Sequence, residues 1–215
     1  MYDLLMRLPL LTWVSLCAIV QWRGLVQYLD IMNGLPEDYV SLIHIAMRLS
    51  TVGFLLLVAL AVVLRTRPSH KASGLEPRIA ALAGTFMMYG IALFPRRELS
   101  LSLELTSIVL ILIGSVGAVV TLSQLGRSFS VMAEARQLVT SGPYRFVRHP
   151  LYLTEEIAVI GLFMQFASVW TIFLLAVHIA FQMRRIHNEE TILTEKFPEY
   201  AAYAQITPRL IPGMY

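Results

Sequence analysis

The sequence predicts an all-α, polytopic integral membrane protein: four spanning helices, then a C-terminal helical hairpin with a cytoplasmic, cofactor-binding tail. Three observations carry this expectation. Of 215 residues, 57% are hydrophobic and only 14% are charged, against roughly 25% charged in soluble domains. The apolar residues fall into separate runs that approach or exceed the roughly 20 residues a helix needs to cross a bilayer core. The charges gather between those runs. Lipid offers no partner for free backbone groups, so each run must be helical.

Residues 4–22 form the first run, mildly broken by Arg7 and Pro9. Its apolar stretch is longer than a signal-peptide core, and no small-residue cleavage site follows before Gln21-Trp22-Arg23-Gly24, so it reads as a helix of the mature protein. Residues 40–64 form the second run, 79–94 a shorter third, and 101–125 a long, very apolar fourth. Residues 151–166 and 169–184 are two further runs joined at Ala167-Ser168. At about 16 residues each they are short for full spans, which predicts a tilted or partly inserted hairpin. Pro150 suits the first turn of a helix, where its missing N–H is harmless. Beyond Arg185 the helix is expected to continue through His187-Asn188-Glu189-Glu190 into the cytoplasm, until Pro198 interrupts it. Turn signals stand at Asn33-Gly34-Leu35-Pro36 and Ser141-Gly142-Pro143, and Pro208 and Pro212 mark an irregular tail. The single cysteine, Cys17, lies in the first run, so no internal disulfide can form, and no zinc or thiol-redox motif is present. No metal site is expected.

Charge placement sets the orientation. Residues 65–78 hold Arg65, Arg67, Lys71 and Arg78 against Glu76, and residues 126–150 hold Arg127, Arg136, Arg145 and Arg148 against Glu134. Residues 23–39 hold only Arg23 against Asp30, Glu37 and Asp38. The positive-inside rule places the two basic segments in the cytoplasm, and with them both termini and the polar C-terminal end. Arg96 and Arg97 dissent. These charges flank helices and do not cover one face, which argues against a nucleic-acid partner. The chain reads as one structural domain in two parts. Residues 1–125 are transmembrane scaffold, and residues 126–215 are the catalytic, cofactor-binding region.

Two polar constellations lie in that second part. One is Ser141-Gly142-Pro143-Tyr144-Arg145-Phe146-Val147-Arg148-His149-Pro150-Leu151-Tyr152. The other is Arg184-Arg185-Ile186-His187-Asn188-Glu189-Glu190, with Phe197-Pro198-Glu199-Tyr200 and Tyr203 beyond it. A hairpin would bring both to one surface. Each residue also has a plainer reading. Arg145 and Arg148 could be headgroup anchors, Arg185 and Glu189 an i,i+4 surface pair, and the tyrosines an aromatic belt. Either Glu155 or Glu156 could pair with Arg145 or Arg148. His178 reads as a helix-packing hydrogen bonder and Glu104 as interfacial. Arg48, which shares a face with His44, could line a substrate route or lock helices together.

The ordered set Gly142-Pro143-Tyr144-Arg145, Arg148-His149-Pro150-Leu151-Tyr152, Glu189-Glu190, Phe197-x-Glu199-Tyr200-x-x-Tyr203 and Pro208-Arg209-Leu210-Ile211-Pro212 resembles the isoprenylcysteine carboxyl methyltransferase family. Phospholipid methyltransferases are similar over the same region, about residues 120–215. Two positions depart from the pattern: Pro198, where Gly is usual, and Thr154-Glu155, where a Gly is common. The resemblance implies S-adenosylmethionine as cofactor and a lipophilic methyl acceptor, with carboxyl O-methylation of an isoprenylcysteine-like substrate as the leading expectation. It implies a cofactor site drawn from Tyr144, His149, Pro150, Tyr152, Glu189, Glu190, Tyr200 and Tyr203, and a catalytic set of Arg145, Arg148 and Glu156. Neighbouring helical residues point about 100° apart, so one of Glu189 and Glu190 is expected to face the cofactor. The alternatives are a phospholipid N-methyltransferase, a non-catalytic membrane scaffold, and an NADPH-dependent sterol-type reductase. That last class shares an Arg-His-Pro-x-Tyr run and a terminal Ile-Pro-x-x-Tyr like residues 211–215, but usually carries Arg-Asp-Glu where this chain has Asn188-Glu189-Glu190. Membrane lipids are expected neighbours, and the oligomeric state is open.

Overall fold

A computed structural model describes residues 7–32, 38–66 and 68–211. The turn at residues 33–36, Arg67 and the tail from Pro212 onward lie outside the described residues. Four helices are long and apolar enough to cross a membrane: Leu8–Ile31, Tyr39–Leu64, Leu101–Ser128 and Val169–Lys196. The chain is an integral membrane protein, mostly helical.

Helix α1, Leu8–Ile31, carries Pro9 in its first turn and runs well past Trp22. Arg23 marks the edge of the apolar run but does not end the helix, because the residues after it are good helix formers with no proline among them. Helix α2, Tyr39–Leu64, starts at Asp38, whose side chain accepts from the Ser41 N–H at 2.8 Å. Arg48 packs against α1 so closely that a Cβ on Gly24 would lie 2.7 Å from its Nη1. His44 lies against Tyr28 with ring centroids 5.7 Å apart. Both contacts favour the helix-locking role for this pair.

The third run needs correction. Only Glu76–Phe86 is α-helix (α3); Met87–Leu93 continues as a 3-10 helix. An apolar composition fixes burial but not the hydrogen-bond pattern, and Phe94-Pro95 then stops the run, since the residue before proline is pushed to extended backbone. Eleven α-helical residues and seven 3-10 residues rise together about 30 Å. The combined segment therefore still reaches across a bilayer core.

Helix α4, Leu101–Leu125, and helix α5, Pro150–Phe166, make the tightest seam in the molecule. A Cβ on Gly114 would lie 2.6 Å from the Thr154 carbonyl oxygen, and one on Gly161 2.6 Å from that of Ser107. Ser107 Oγ donates to the Gly161 carbonyl at 2.8 Å. Without a hydrophobic drive between helices in lipid, such small-residue contacts and hydrogen bonds hold the pair. Gly161→Ala is therefore expected to lower the thermal midpoint in detergent, by about 1–3 kcal/mol of overpacking. Helix propensity alone would raise stability by about 1 kcal/mol, so a gain would show that the seam is not this tight.

Helix α6, Val169–Lys196, is opened by a capping box between Ser168 and Thr171. It continues through Glu190, as the sequence suggests. The two arms of the hairpin do not lie along each other. Helix α5 packs on α4, while α6 packs on α3, where a Cβ on Gly84 would lie 2.7 Å from Gln182 Oε1. Side chains bridge the arms instead: Glu156 Oε1 accepts from Gln182 Nε2 at 3.1 Å and pairs with His178 Nε2 at 2.8 Å. The expected pairing of Glu156 with Arg145 or Arg148 is thus replaced by one deeper in the helices, while His178 has its helix-packing role. At the other end of α4, Glu104 pairs with Arg96 at 3.4 Å with both side chains partly exposed, as befits an interfacial pair.

The all-α expectation needs one addition. Strand β1, His70–Lys71, pairs antiparallel with β2, Glu134–Ala135, and Ser69 N–H donates to the Ala135 carbonyl at 2.9 Å. This ribbon ties the loop after α2 to the segment after α4. Helix α7, Tyr200–Ile206, follows α6. The chain beyond α7 folds back over the start of α5: Arg148 N–H donates to the Pro208 carbonyl at 2.9 Å and His149 N–H to the Arg209 carbonyl at 3.1 Å.

Candidate active site

Between the segment after α4, the start of α5, the polar end of α6 and helix α7 lies a cleft with about 710 Å³ of empty space, its open mouth included. Volumes of roughly 300–1,000 Å³ are usual for sites that enclose a small molecule. The start of α5 contributes Arg148, His149 and Tyr152; α6 contributes Arg185, Glu189 and Leu193; α7 contributes Tyr200 and Tyr203. Tyr144 stands on the wall from the 3-10 turn Gly142–Arg145. The wall is completed by the chain between α4 and β2, including Phe129 and Met132, and by Glu134, Arg136 and Leu138.

Proline at the head of α5 and the tail's backbone bonds fix the first turn, and this aims His149 and Tyr152 together. Their rings stack, centroids 5.4 Å apart and planes within 5° of parallel. Tyr152 donates its hydroxyl to Glu189 Oε2, so the carboxylate on the wall is held by the phenol opposite it. Tyr203 donates its hydroxyl to the Tyr144 carbonyl. Burial pushes the Tyr203 phenol up to about 12, and burial also raises Tyr144 and Tyr200 above their ordinary value. All three therefore remain neutral donors at physiological pH.

The two adjacent glutamates divide the work. Glu189 faces the cavity. Glu190 turns away into a buried clamp with Arg209 Nη2 at 2.6 Å, Arg148 Nη1 at 2.9 Å and His149 Nε2 at 3.1 Å. That clamp and the backbone bonds at Pro208 and Arg209 fasten the tail over the site.

Of the residues singled out from sequence, Tyr144, Arg148, His149, Tyr152, Glu189, Tyr200 and Tyr203 converge on one wall. Pro150 shapes that wall as the first helical residue, and Glu190 supports it. Glu156 lies away from the cavity with His178. Arg145 is exposed, its guanidinium 4.4 Å over the Phe146 ring, and is not part of the cavity wall. Sequence reasoning missed the stretch from Ser128 to Val139, above all the Glu134–Arg136 pair at 2.6 Å. It also read Arg185 only as a partner for Glu189; the guanidinium instead sits 4.5 Å over the Tyr152 ring. One signal was available: two charged residues, Glu134 and Arg136, in an otherwise weakly polar stretch between helices.

The cavity walls come largely from within residues 107–195, the stretch that matches the sequence profile of the "Isoprenylcysteine carboxyl methyltransferase (ICMT) family". Residues 107–195 belong to the isoprenylcysteine carboxyl methyltransferase family. The chain is also 32% identical over 113 residues to the nickel-cobalt-cadmium resistance protein NccN of Alcaligenes xylosoxydans xylosoxydans, covering 50% of this chain and 52% of that protein. It is 34% identical over 111 residues to the cobalt-zinc-cadmium resistance protein CzcN of Cupriavidus metallidurans, covering 49% and 50%. The chain spans about half the length of the curated relatives it matches. Among the described residues, no group of three or more His, Cys, Asp or Glu side chains is arranged to hold a metal ion. The family is one of membrane methyltransferases, and the family segment holds Arg148, His149, Tyr152 and Glu189 but ends before the tail that roofs them.

Proposed function

We propose that this protein is an S-adenosylmethionine-dependent methyltransferase that acts at the cytoplasmic face of the membrane on a lipophilic acceptor, carboxyl O-methylation being the reaction the site suits best. The observation that carries the reading is the roofed cavity at the end of α5 and α6, inside the family segment, with one carboxylate on its wall held by Tyr152 and an aromatic pair beside it. These groups fit the cofactor's chemistry. Glu189 suits its amino group or ribose hydroxyls, and the stacked His149–Tyr152 pair and the tyrosines of α7 suit its flat and apolar parts.

Bound there, S-adenosylmethionine supplies a methyl group already activated by a sulfonium. The protein's task is then alignment and exclusion of water. The tail from Phe197 onward and the Glu190 clamp close the cytoplasmic side. Tyr152 fixes Glu189, and the neutral tyrosines donate hydrogen bonds without adding charge. A carboxylate acceptor needs no proton removed, so a site without a base beside the acceptor suffices for it. An amine acceptor would need a group to take its proton.

Calorimetry on the purified protein in lipid tests the reading. S-adenosylmethionine is expected to bind with micromolar affinity, on the order of −8 kcal/mol, and NADPH is expected not to bind. Preference for NADPH would replace the methyltransferase reading with the reductase. The cytoplasmic placement of both termini rests on the positive-inside rule. Labelling of a cysteine introduced near Tyr203 from the outer side would overturn it.

A further inference from the structure

Three guanidinium groups stand on the cavity wall: Arg136, Arg148 and Arg185. Two have a carboxylate of their own. Arg136 pairs with Glu134 at 2.6 Å and Arg148 with Glu190 at 2.9 Å. Arg185 differs. It is only 4% exposed, and its Nε and Nη1 have no hydrogen-bond partner among the described residues. Its guanidinium rests over the Tyr152 ring, 4.5 Å from the centroid, and its stem lies beside Gly84, where a Cβ would come within 3.5 Å of Cδ. The missing side chain at position 84 thus makes room for an arginine that packing alone does not require.

A buried guanidinium with open donors is costly to leave unpaired, and its planar fork matches a carboxylate in a bidentate fashion. Glu155 and Glu189 act on Arg185 electrostatically without bonding its Nε or Nη1. One cation beside two fixed carboxylates admits a singly charged oxyanion and repels a doubly charged one. Tyr152 places the guanidinium next to Glu189, at the centre of the cavity. We infer that Arg185 is the anion anchor of this cavity and takes a carboxylate, from either the methyl acceptor or the methyl donor. The inference rests on the methyltransferase reading for the identity of the ligand, but not for the carboxylate chemistry itself. An acceptor carboxylate anchored through one oxygen would keep the other free to attack the methyl carbon. The methyl–sulfur electron pair would pass to sulfur, and no proton would move.

Binding to the full chain in lipid nanodiscs decides it, for the wild type, Arg185→Gln and Arg185→Lys. The probes are N-acetyl-S-farnesylcysteine and its carboxamide, and S-adenosylmethionine and its decarboxylated form. If the acceptor supplies the carboxylate, Arg185→Gln weakens the farnesylcysteine acid more than tenfold, leaves the carboxamide unchanged, and moves neither cofactor form by more than twofold. If the donor supplies it, the wild type prefers S-adenosylmethionine to the decarboxylated form by more than tenfold, and Arg185→Gln erases that preference. Arg185→Lys keeps the charge but not the fork; it is expected to fall between the two and to serve if the glutamine variant does not fold. Equal affinities in wild type and both variants for all four probes would overturn the anchor. Failure of the wild type to bind either cofactor form would remove the methyltransferase reading. The acid-against-carboxamide comparison would still decide Arg185, with no preference in the wild type counting against it.

Discussion

Replacing Glu190 with alanine is expected to release the C-terminal tail and open the roof of the site. Glu190 is the only carboxylate in contact with Arg209, Arg148 and His149 among the printed geometries of the described residues, at 2.6, 2.9 and 3.1 Å. Its side chain is 10% exposed and that of Arg148 14%. Removing one member of a buried ionic cluster leaves the others uncompensated, at a cost of about 3–5 kcal/mol. The remaining attachments, the backbone bonds to Pro208 and Arg209 and the Tyr203 hydroxyl on the Tyr144 carbonyl, are too few to absorb that loss. Tryptic cleavage after Lys196 and Arg209 should become fast in Glu190→Ala while the membrane helices stay protected. Glu190→Gln should give the same result in weaker form, since the amide keeps a hydrogen bond but not the charge. A tail that stays resistant in both variants would show that the clamp is dispensable.

Glu189→Ala is expected to do the reverse: the tail stays protected and cofactor affinity collapses. Glu189 points into the cavity, and its one hydrogen bond in the structure is from Tyr152. A hydrogen bond to a charged group contributes about 1.5–3 kcal/mol, so loss of one or two to S-adenosylmethionine predicts a fall in affinity of about a hundredfold. Tyr152→Phe leaves the carboxylate in place without its support and should fall about tenfold. Isothermal titration with limited proteolysis on the same samples checks both. Normal affinity in Glu189→Ala would exclude that carboxylate from the cofactor site, and an exposed tail in the same variant would mean the two glutamates do not divide as described.

How much of this was legible in the sequence can be judged residue by residue. Glu189-Glu190 announced that one carboxylate would face inward, because neighbours on a helix diverge by about 100°. Which of the two did so depended on Arg209, which lies beyond the helix and reaches back to it. His149 and Tyr152, one turn apart after Pro150, were legible as a pair, and they stack. Arg145 and Arg148 were not separable, since both follow the same 3-10 turn; only the tail's grip on residues 148 and 149 sends one inward and leaves the other exposed. The Glu134–Arg136 wall could not be read, because its place is set by pairing with His70–Lys71, far away in the chain. The third apolar run showed correctly that residues 79–94 are largely lipid- or protein-facing, but hydrophobicity carries no information about whether the backbone closes i to i+4 or i to i+3.

The two-residue ribbon between His70–Lys71 and Glu134–Ala135 bears on how such a protein can be inherited in pieces. The segment that lines the cavity is stitched to a loop from the first half of the chain. A chimera joined near residue 125, taking its early helices from one homologue and its later ones from another, would bring together ribbon strands that had never been selected to match. Lys71 would face a stranger in place of Glu134, which it now meets at 3.4 Å, and the error would surface in the catalytic wall, not at the splice. Recombination within this lineage is thus constrained by a contact far from the junction, and loop and wall should change hands as one unit.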